Sequence, residues 1–459
     1  VYEKKITPKV VGAIVATGLM SFCGVMVETA MNITFPTLMH EFKIATNTVQ
    51  WMTTLYLLVV AAMVPLSATL KRRFKTRSLF LVAISLFIVG VVLDGAAPAF
   101  WVLLLGRGVQ GLGTGIALPL MFNIILEQVP PSQTGMMMGV GTMITGVAPA
   151  LGPTFGGLVV SALSWRYIFV FLLPVLLIAL ILGLVCIEQH SRLVAAKTDP
   201  LSVILIILTF GGLIYGISNW GSQPLFSWSV AGALVLGCFA LLGFVQRSLR
   251  LQTPIINLRL LSNQTFVESL LAFLCVQIGA LGMSFLLPNY IQLVNHSSAL
   301  VAGLVVLPGA AIGAVAGPLS GRWYDQRGAK APLRSSAIIA LMGTLGLWVW
   351  GNHLDDVAIL VLYLLFMLGR GLGYGNIMTF GLNQLPEATY PDGNAIFNTV
   401  QQFGAALGVD LAAAIVAAGQ AQATSRVAGT LTGSVNSFAV LTVLTAIELG
   451  LLWRVTKRS

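Results

Sequence analysis

The chain has 459 residues, of which 57% are hydrophobic and only 9% charged. Soluble domains carry about 25% charged residues, so this composition, with a mean hydropathy of +0.91, excludes a soluble globular protein and leaves no hydrophilic stretch long enough for a separate catalytic module. The net charge of +10 sits in alternate short loops, which accounts for it without a nucleic-acid partner.

A helix needs about 20 apolar residues to cross the hydrocarbon core. Fourteen segments qualify: 10–36, 49–70, 78–97, 101–126, 136–160, 167–187, 201–219, 229–247, 266–292, 299–320, 333–351, 357–380, 394–417 and 435–454. The first is too long for a cleavable signal peptide and lacks its small-residue cleavage site. Cys23, Cys186, Cys238 and Cys275 are scattered within the apolar runs, with neither metal nor disulfide spacing.

The first span ends in VETAMNITFP (27–36). A carboxylate inside the membrane costs a few kcal/mol or more, which makes Glu28 a functional candidate. Counted back from Pro36, it lies roughly 12 Å below the end of its helix, with Asn32 on the same face. Such an acid can hold a proton or a cationic ligand, and not easily both; the alternative is a structural carboxylate satisfied by a neighbouring helix. Asp94 closes the third span and is expected at the membrane interface.

The fourth span carries LGRGVQGLGTG (105–115). Its Arg107 needs a counter-charge or carbonyl partners, and Glu28 is expected at similar depth. Gln110 is a cavity residue or an interhelical hydrogen-bond partner. The fifth carries GVAPALGPTFGG (146–157), where Gly146, Gly152, Gly156 and Gly157 permit close helix approach and Pro149 and Pro153 bend the chain. Spans seven and eight carry no motif. Glu268 opens the ninth and is expected to reach the interface. Arg370 in LGRGLGYGNIM (368–378) echoes Arg107 near the middle of the twelfth. The thirteenth holds Asn398, Gln401, Gln402 and Asp410, which line a path or join helices. Glu448, in the last, is expected near the interface. The four histidines, His40, His190, His296 and His353, fall near helix ends in different places, so no enzyme-like constellation is apparent.

If the N-terminus is cytoplasmic, 20 of the 25 basic residues fall in cytoplasmic segments and 3 (Lys43, Arg166, Arg426) in external ones. This bias places both termini in the cytoplasm. Three pairs of segments repeat in the same order: the two LGRG segments, KRRFKTR (71–77) with GRWYDQRGAK (321–330), and GVAPALGPTFGG with GAALGVD (404–410). Two six-helix halves, 1–190 and 263–459, are therefore expected around a central pair in 191–262. Parallel halves of this kind mark one large transporter class.

On these residues the chain resembles the major facilitator superfamily, in its fourteen-helix drug:proton antiporter branch. LLLGRGVQGLGTG is similar to motif B, whose arginine is implicated in proton transfer. GVAPALGPTFGG resembles motif C, the antiporter motif, whose packing seals a central leak. VETAMNITFP resembles the first-helix motif, with Glu28 where aspartate is usual, and QWMTTLYLL (50–58) the start of helix two. GRWYDQRGAK resembles motif A, with Asp325 and Arg327 in gating positions. In the first half motif A is eroded: Arg72 stands where an aspartate is expected and Lys75 where a glycine is.

The resemblance implies an all-α membrane protein of the major facilitator fold. It implies a proton-coupled exporter of amphiphilic, often cationic drugs, with Glu28, Asp410 and Arg107 at proton or substrate sites. Asn32, Gln110, Asn398, Gln401 and Arg370 would border the cavity. No cofactor is expected beyond the proton gradient, and no nucleotide-binding G-x-x-x-x-G-K-[ST] segment occurs. The expected setting is a monomer in a bacterial plasma membrane, with small molecules, protons and lipid as partners and no nucleic acid. An exporter of a metabolite, lipid or siderophore is the alternative on the same fold. A membrane sensor without transport is a third reading, in which the acids would be dispensable.

Overall fold

The computed structural model describes residues 6–44, 46–190, 193, 199–220, 226–252 and 254–458, and these contain helices and no strands. In chain order the α-helices are α1 (Pro8–Asn32), α2 (Phe35–Phe42), α3 (Thr46–Arg73), α4 (Thr76–Gly95), α5 (Phe100–Gln128), α6 (Thr134–Ala162) and α7 (Tyr167–Cys186). They continue with α8 (Pro200–Trp220), α9 (Ala233–Arg250), α10 (Gln264–Leu293), α11 (Ala299–Arg327), α12 (Lys330–Val349), α13 (Asp356–Leu382), α14 (Tyr390–Gln422) and α15 (Arg426–Arg458). Without water in the hydrocarbon core, each segment must satisfy its own backbone groups, which only a helix does within one strand of chain. Polar residues at the junctions set the starts: Asn263 accepts from Phe266 N at 3.1 Å and Asp355 from Ala358 N at 2.7 Å.

Among the described residues, thirteen helices are long and apolar enough to cross a membrane. The turn before α6 and α6 itself form two straight pieces, Pro131–Pro149 and Thr154–Ala162, that meet at 40° and, taken as one bent span, bring the number to fourteen. The fourteen expected segments thus correspond to these helices, with shifted bounds. The first apolar run closes at Asn32, where the Thr34 hydroxyl bonds the Met31 carbonyl at 2.7 Å; Pro36 then sits in the first turn of α2. Glu28 is therefore about 6 Å from the end of its helix at 1.5 Å per residue, half the depth counted from Pro36. The last span extends well beyond 435–454, which moves Glu448 away from the helix end and into the bundle. Lys4, Lys5, Arg192 and Lys197, counted in the charge bias, lie outside the described residues.

In the first half, α5 lies against α1, α3 and α4, while α1 also packs on α6 and α7. In the second half, α13 lies against α10, α11 and α12, and α15 against α10, α12 and α14. Glycines of the two LGRG segments make these crossings possible. A Cβ on Gly113 would sit 2.5 Å from the Ala83 carbonyl oxygen, and one on Gly369 2.4 Å from Ala340 N. The halves meet where α6 packs on α11 and α3 on α14, with smaller contacts of α6 with α13 and α5 with α14. Helix α8 lies against α3 and α14, and so covers one seam; α9 packs on α8. Arg247 of α9 grips Asp199 before α8 with bonds of 2.5 and 2.8 Å, and this bond holds the Asp199 carboxyl well below the usual carboxylate range.

Candidate functional site

Glu28 lies on α1, half-buried, and has no hydrogen-bond or ion-pair partner among the described residues. It is within electrostatic reach of Arg107 and Tyr56. One turn on, Asn32 is exposed and accepts from the Thr53 hydroxyl of α3 at 2.8 Å. The opposite flank of this turn faces α6. A Cβ on Gly152 would fall 1.8 Å from Thr29 Oγ1, and one on Gly156 2.6 Å from the Ala30 carbonyl oxygen. Gly146 and Gly157 have open space instead. Two of the four motif glycines thus bring α6 against the helix turn bearing Glu28, and two do not.

Arg107 is fully buried and meets no carboxylate directly among the described residues. Its Nη1 donates to Gln110 Oε1 at 2.8 Å, its Nε to the Met52 carbonyl at 3.4 Å, and its guanidinium lies 4.1 Å over the Tyr56 ring. Gln110 Nε2 in turn donates to Asp94 Oδ2 at 2.8 Å. Tyr56 is oriented by its hydroxyl, which donates to the Gly24 carbonyl and meets Thr114 Oγ1, each at 2.9 Å. The sequence position of Asp94 points to the interface, yet the residue is 0% exposed. The reason is steric: α4 and α5 cross at Gly90 and Gly106, so the end of α4 is pressed into the bundle, and Asp94 Oδ1 occupies the place a side chain on Gly106 would take.

The second-half arginine is held differently. Arg370 bonds Glu448 of α15 directly, donates to Thr445 Oγ1 at 2.9 Å, and lies over the Phe366 ring. Glu448 is 1% exposed and is no interface residue; burying it requires this charged partner. Asp410, half-buried on α14, has no hydrogen-bond or ion-pair partner among the described residues. Gln401 is also half-buried on α14. Asn398 is buried nearer the start of that helix and bonds Asn394, whose Nδ2 donates to Asn123 Oδ1 and the Pro119 carbonyl of α5 at 2.8 and 2.9 Å. Glu268 is buried beside Arg454 and Arg458, at 3.1 and 3.4 Å.

Polar contacts close the seams at the end carrying the basic loops. Asp325 accepts from Gly135 N and Met136 N, both at 2.9 Å, and so satisfies the free N–H groups that open α6. Arg327 is exposed. Arg72, where the family's aspartate is missing, pairs with Asp392 at the start of α14 at 2.9 Å. Its Nη2 also donates to the Pro254 and Ile255 carbonyls at 3.2 Å, and Asn257 N donates to Asp392 at 3.1 Å. The contact between α3 and α14 is thus ionic, with a cation on the first-half side. Nothing in the sequence directly marks Asp94, Asp392, Asn394 or Glu448 as a site residue. The one signal for Asp392 was indirect: an unexplained cation at Arg72 needs an anion somewhere.

A family model described as Major Facilitator Superfamily matches residues 17–409. The chain is 38% identical to lincomycin resistance protein LmrB of Bacillus subtilis (strain 168), over 90% of this chain and 86% of that one. It is 26% identical to multidrug resistance protein Stp of Mycobacterium tuberculosis (strain CDC 1551 / Oshkosh), over 88% and 75%. The fold is similar to that of the proton:xylose symporter XylE, with a TM-score of 0.69 at 13% identity, covering 97% of this chain and 95% of XylE.

Proposed function

The chain belongs to the Major Facilitator Superfamily, whose members are transporters and not enzymes, and from that premise we propose that it exports amphiphilic, often cationic drugs in exchange for protons. Lincomycin, named for the 38% identical relative, is the first candidate cargo. Glu28 and Asp410 are the sites that hold either a proton or a cation, and Arg107 is the basic group that responds to them. No cofactor is needed beyond the proton gradient.

One observation carries this reading. Within the membrane helices, Asp94 and Glu448 are tied to protein partners, whereas Glu28 and Asp410 are half-buried with none among the described residues. A carboxyl group kept in the membrane without a partner costs free energy unless it binds something. Proton and cation compete for it, and that competition couples the two fluxes.

In this proposal the basic end faces the cytoplasm, supported by the 20-to-3 distribution of Lys and Arg. The Arg72–Asp392 and Asp325–α6 contacts belong to the state closed on that side. Cargo leaves and protons bind from the opposite face, where Asn32 is exposed. The halves 1–190 and 263–459 then rock about the α6–α11 and α3–α14 seams.

The test is proton movement in proteoliposomes on adding lincomycin or a lipophilic cation. Glu28→Gln and Asp410→Asn are expected to abolish coupled flux, and Arg107→Ala to reduce it. Full coupled flux in both carboxamide variants would refute the assignment. Flux driven only by anions or neutral lipids would establish the metabolite or lipid exporter in its place.

A further inference from the structure

The two arginines of the LGRG repeat occupy matching places in their halves but differ in how they are neutralised. Arg370 is fixed by a direct ion pair with Glu448 and a bond to Thr445. Arg107 reaches its nearest bonded acid, Asp94, only through Gln110. Buried atoms remain unbonded at both ends of that relay: Asp94 Oδ1 and Arg107 Nη2. The repeat shows that the relay is specific to the first half. The position matching Gln110, three residues after the arginine, is Gly373, and α12, which matches α4, contains no acid. The relay occurs in the half that also holds Glu28, and Arg107 is within electrostatic reach of both acids.

We propose, resting on the reading above, that Asp94 is a positioning residue for coupling: through Gln110 it holds Arg107 off Glu28, and Arg107 passes between the two acids as Glu28 loses or gains its proton. With Glu28 protonated, Arg107 stays with the Gln110–Asp94 relay, as in this structure. When the proton leaves, the free Nη2 gives the guanidinium a donor to turn toward the new carboxylate. The only bond exchanged is the carboxyl O–H of Glu28, whose proton passes to water once the site faces the cytoplasm.

The surroundings contain few competitors. On α3 the groups facing Arg107 are Tyr56 and the Met52 carbonyl, and Cys23 of α1 lies near Tyr56. Helix α6 contains no titratable residue, and α7 has only Tyr167 and Cys186 at its ends. Arg166, just before α7, bonds the Ala97 carbonyl at 2.9 Å but is neutralised by Glu41 at 2.8 Å. Asp94 is therefore the acid able to hold Arg107 when Glu28 is neutral.

The experiment measures substrate-driven proton flux against pH in proteoliposomes for the parent, Asp94→Asn and Gln110→Leu. Asparagine preserves shape and can still accept from Gln110, so a purely structural bond survives while the charge is lost. The expected result is an alkaline-side midpoint moved toward acid by about one pH unit, a tenfold rise in the proton concentration required. Arg107, released from Asp94, then pairs with Glu28 and competes with its proton. Gln110→Leu should move the midpoint in the same direction by cutting the relay, and it decides the matter if Asp94→Asn does not accumulate. A lowered rate at the parental midpoint would mark Asp94 as structural and overturn the inference. Should Glu28→Gln keep full coupling, the proposed function itself fails; should it lose coupling while both relay variants keep the parental midpoint, the inference alone fails.

Discussion

Replacing Arg72 by aspartate recreates the residue the family usually has at that place, and similarity alone would make this substitution favourable. The structure gives the opposite expectation. Asp392 is 1% exposed and accepts from Arg72 at 2.9 Å and from Asn257 N at 3.1 Å. At an effective dielectric constant near 20, the pair attracts by about 4 kcal/mol, from which desolvation is subtracted. Removing the cation leaves Asp392 buried with one backbone donor, and the net loss to the closed state is about 2 kcal/mol, roughly 30-fold in population. Arg72→Ala should therefore open the basic end, and Arg72→Asp should open it further, because like charges then face each other. The assay is pulsed electron spin resonance between labels at the exposed positions Ser78 and Gln326, one on each half, in a background without the native cysteines. Both variants are expected to shift weight to longer distances, in that order. Combining Arg72→Asp with Asp392→Arg should return the distribution toward the parent. An Arg72→Asp distribution equal to the parent's would refute the reasoning.

Three further outcomes follow from the packing and the charges. Gly156→Ala places a Cβ 2.6 Å from the Ala30 carbonyl oxygen, so it should lower thermal stability by about 1–3 kcal/mol; Gly157→Ala, with open space, should leave the melting temperature unchanged. Glu448→Gln removes the anion beside buried Arg370 and should cost about 3–5 kcal/mol, read in the melting of purified protein. The Asp199 carboxyl is held below its unfolded value, so its stabilisation is complete above about pH 4 and is lost as pH falls through the folded value. The parent's advantage over Asp199→Asn, about 1 kcal/mol because the Arg247 partner is partly exposed, should be constant from about pH 5 to 8 and shrink only in acid.

The membrane helices and their number are legible in the sequence because lipid imposes its condition locally: each crossing must be apolar for about 20 residues and must satisfy its own backbone. The repeat is legible for a related reason, since helices crossing at backbone contact need small residues, and Gly113 and Gly369 sit at such crossings. Glu28, Arg107, Arg370 and Asp410 stand out as charges where charge is expensive. What each charge meets depends instead on which helices cross, at what height and on which face. Arg107 had Glu28 as its expected neighbour, yet its bonded route leads through Gln110 to Asp94, because Gly90 and Gly106 let the end of α4 press inward. Arg72 looked like the loss of a gating residue, and its partner Asp392 lies 320 positions along the chain. Glu448 looked like an interface residue until the length of α15 carried it beside Arg370. Hydropathy and spacing are properties of one helix; an ion pair between helices belongs to their arrangement, and only the tertiary structure decides it.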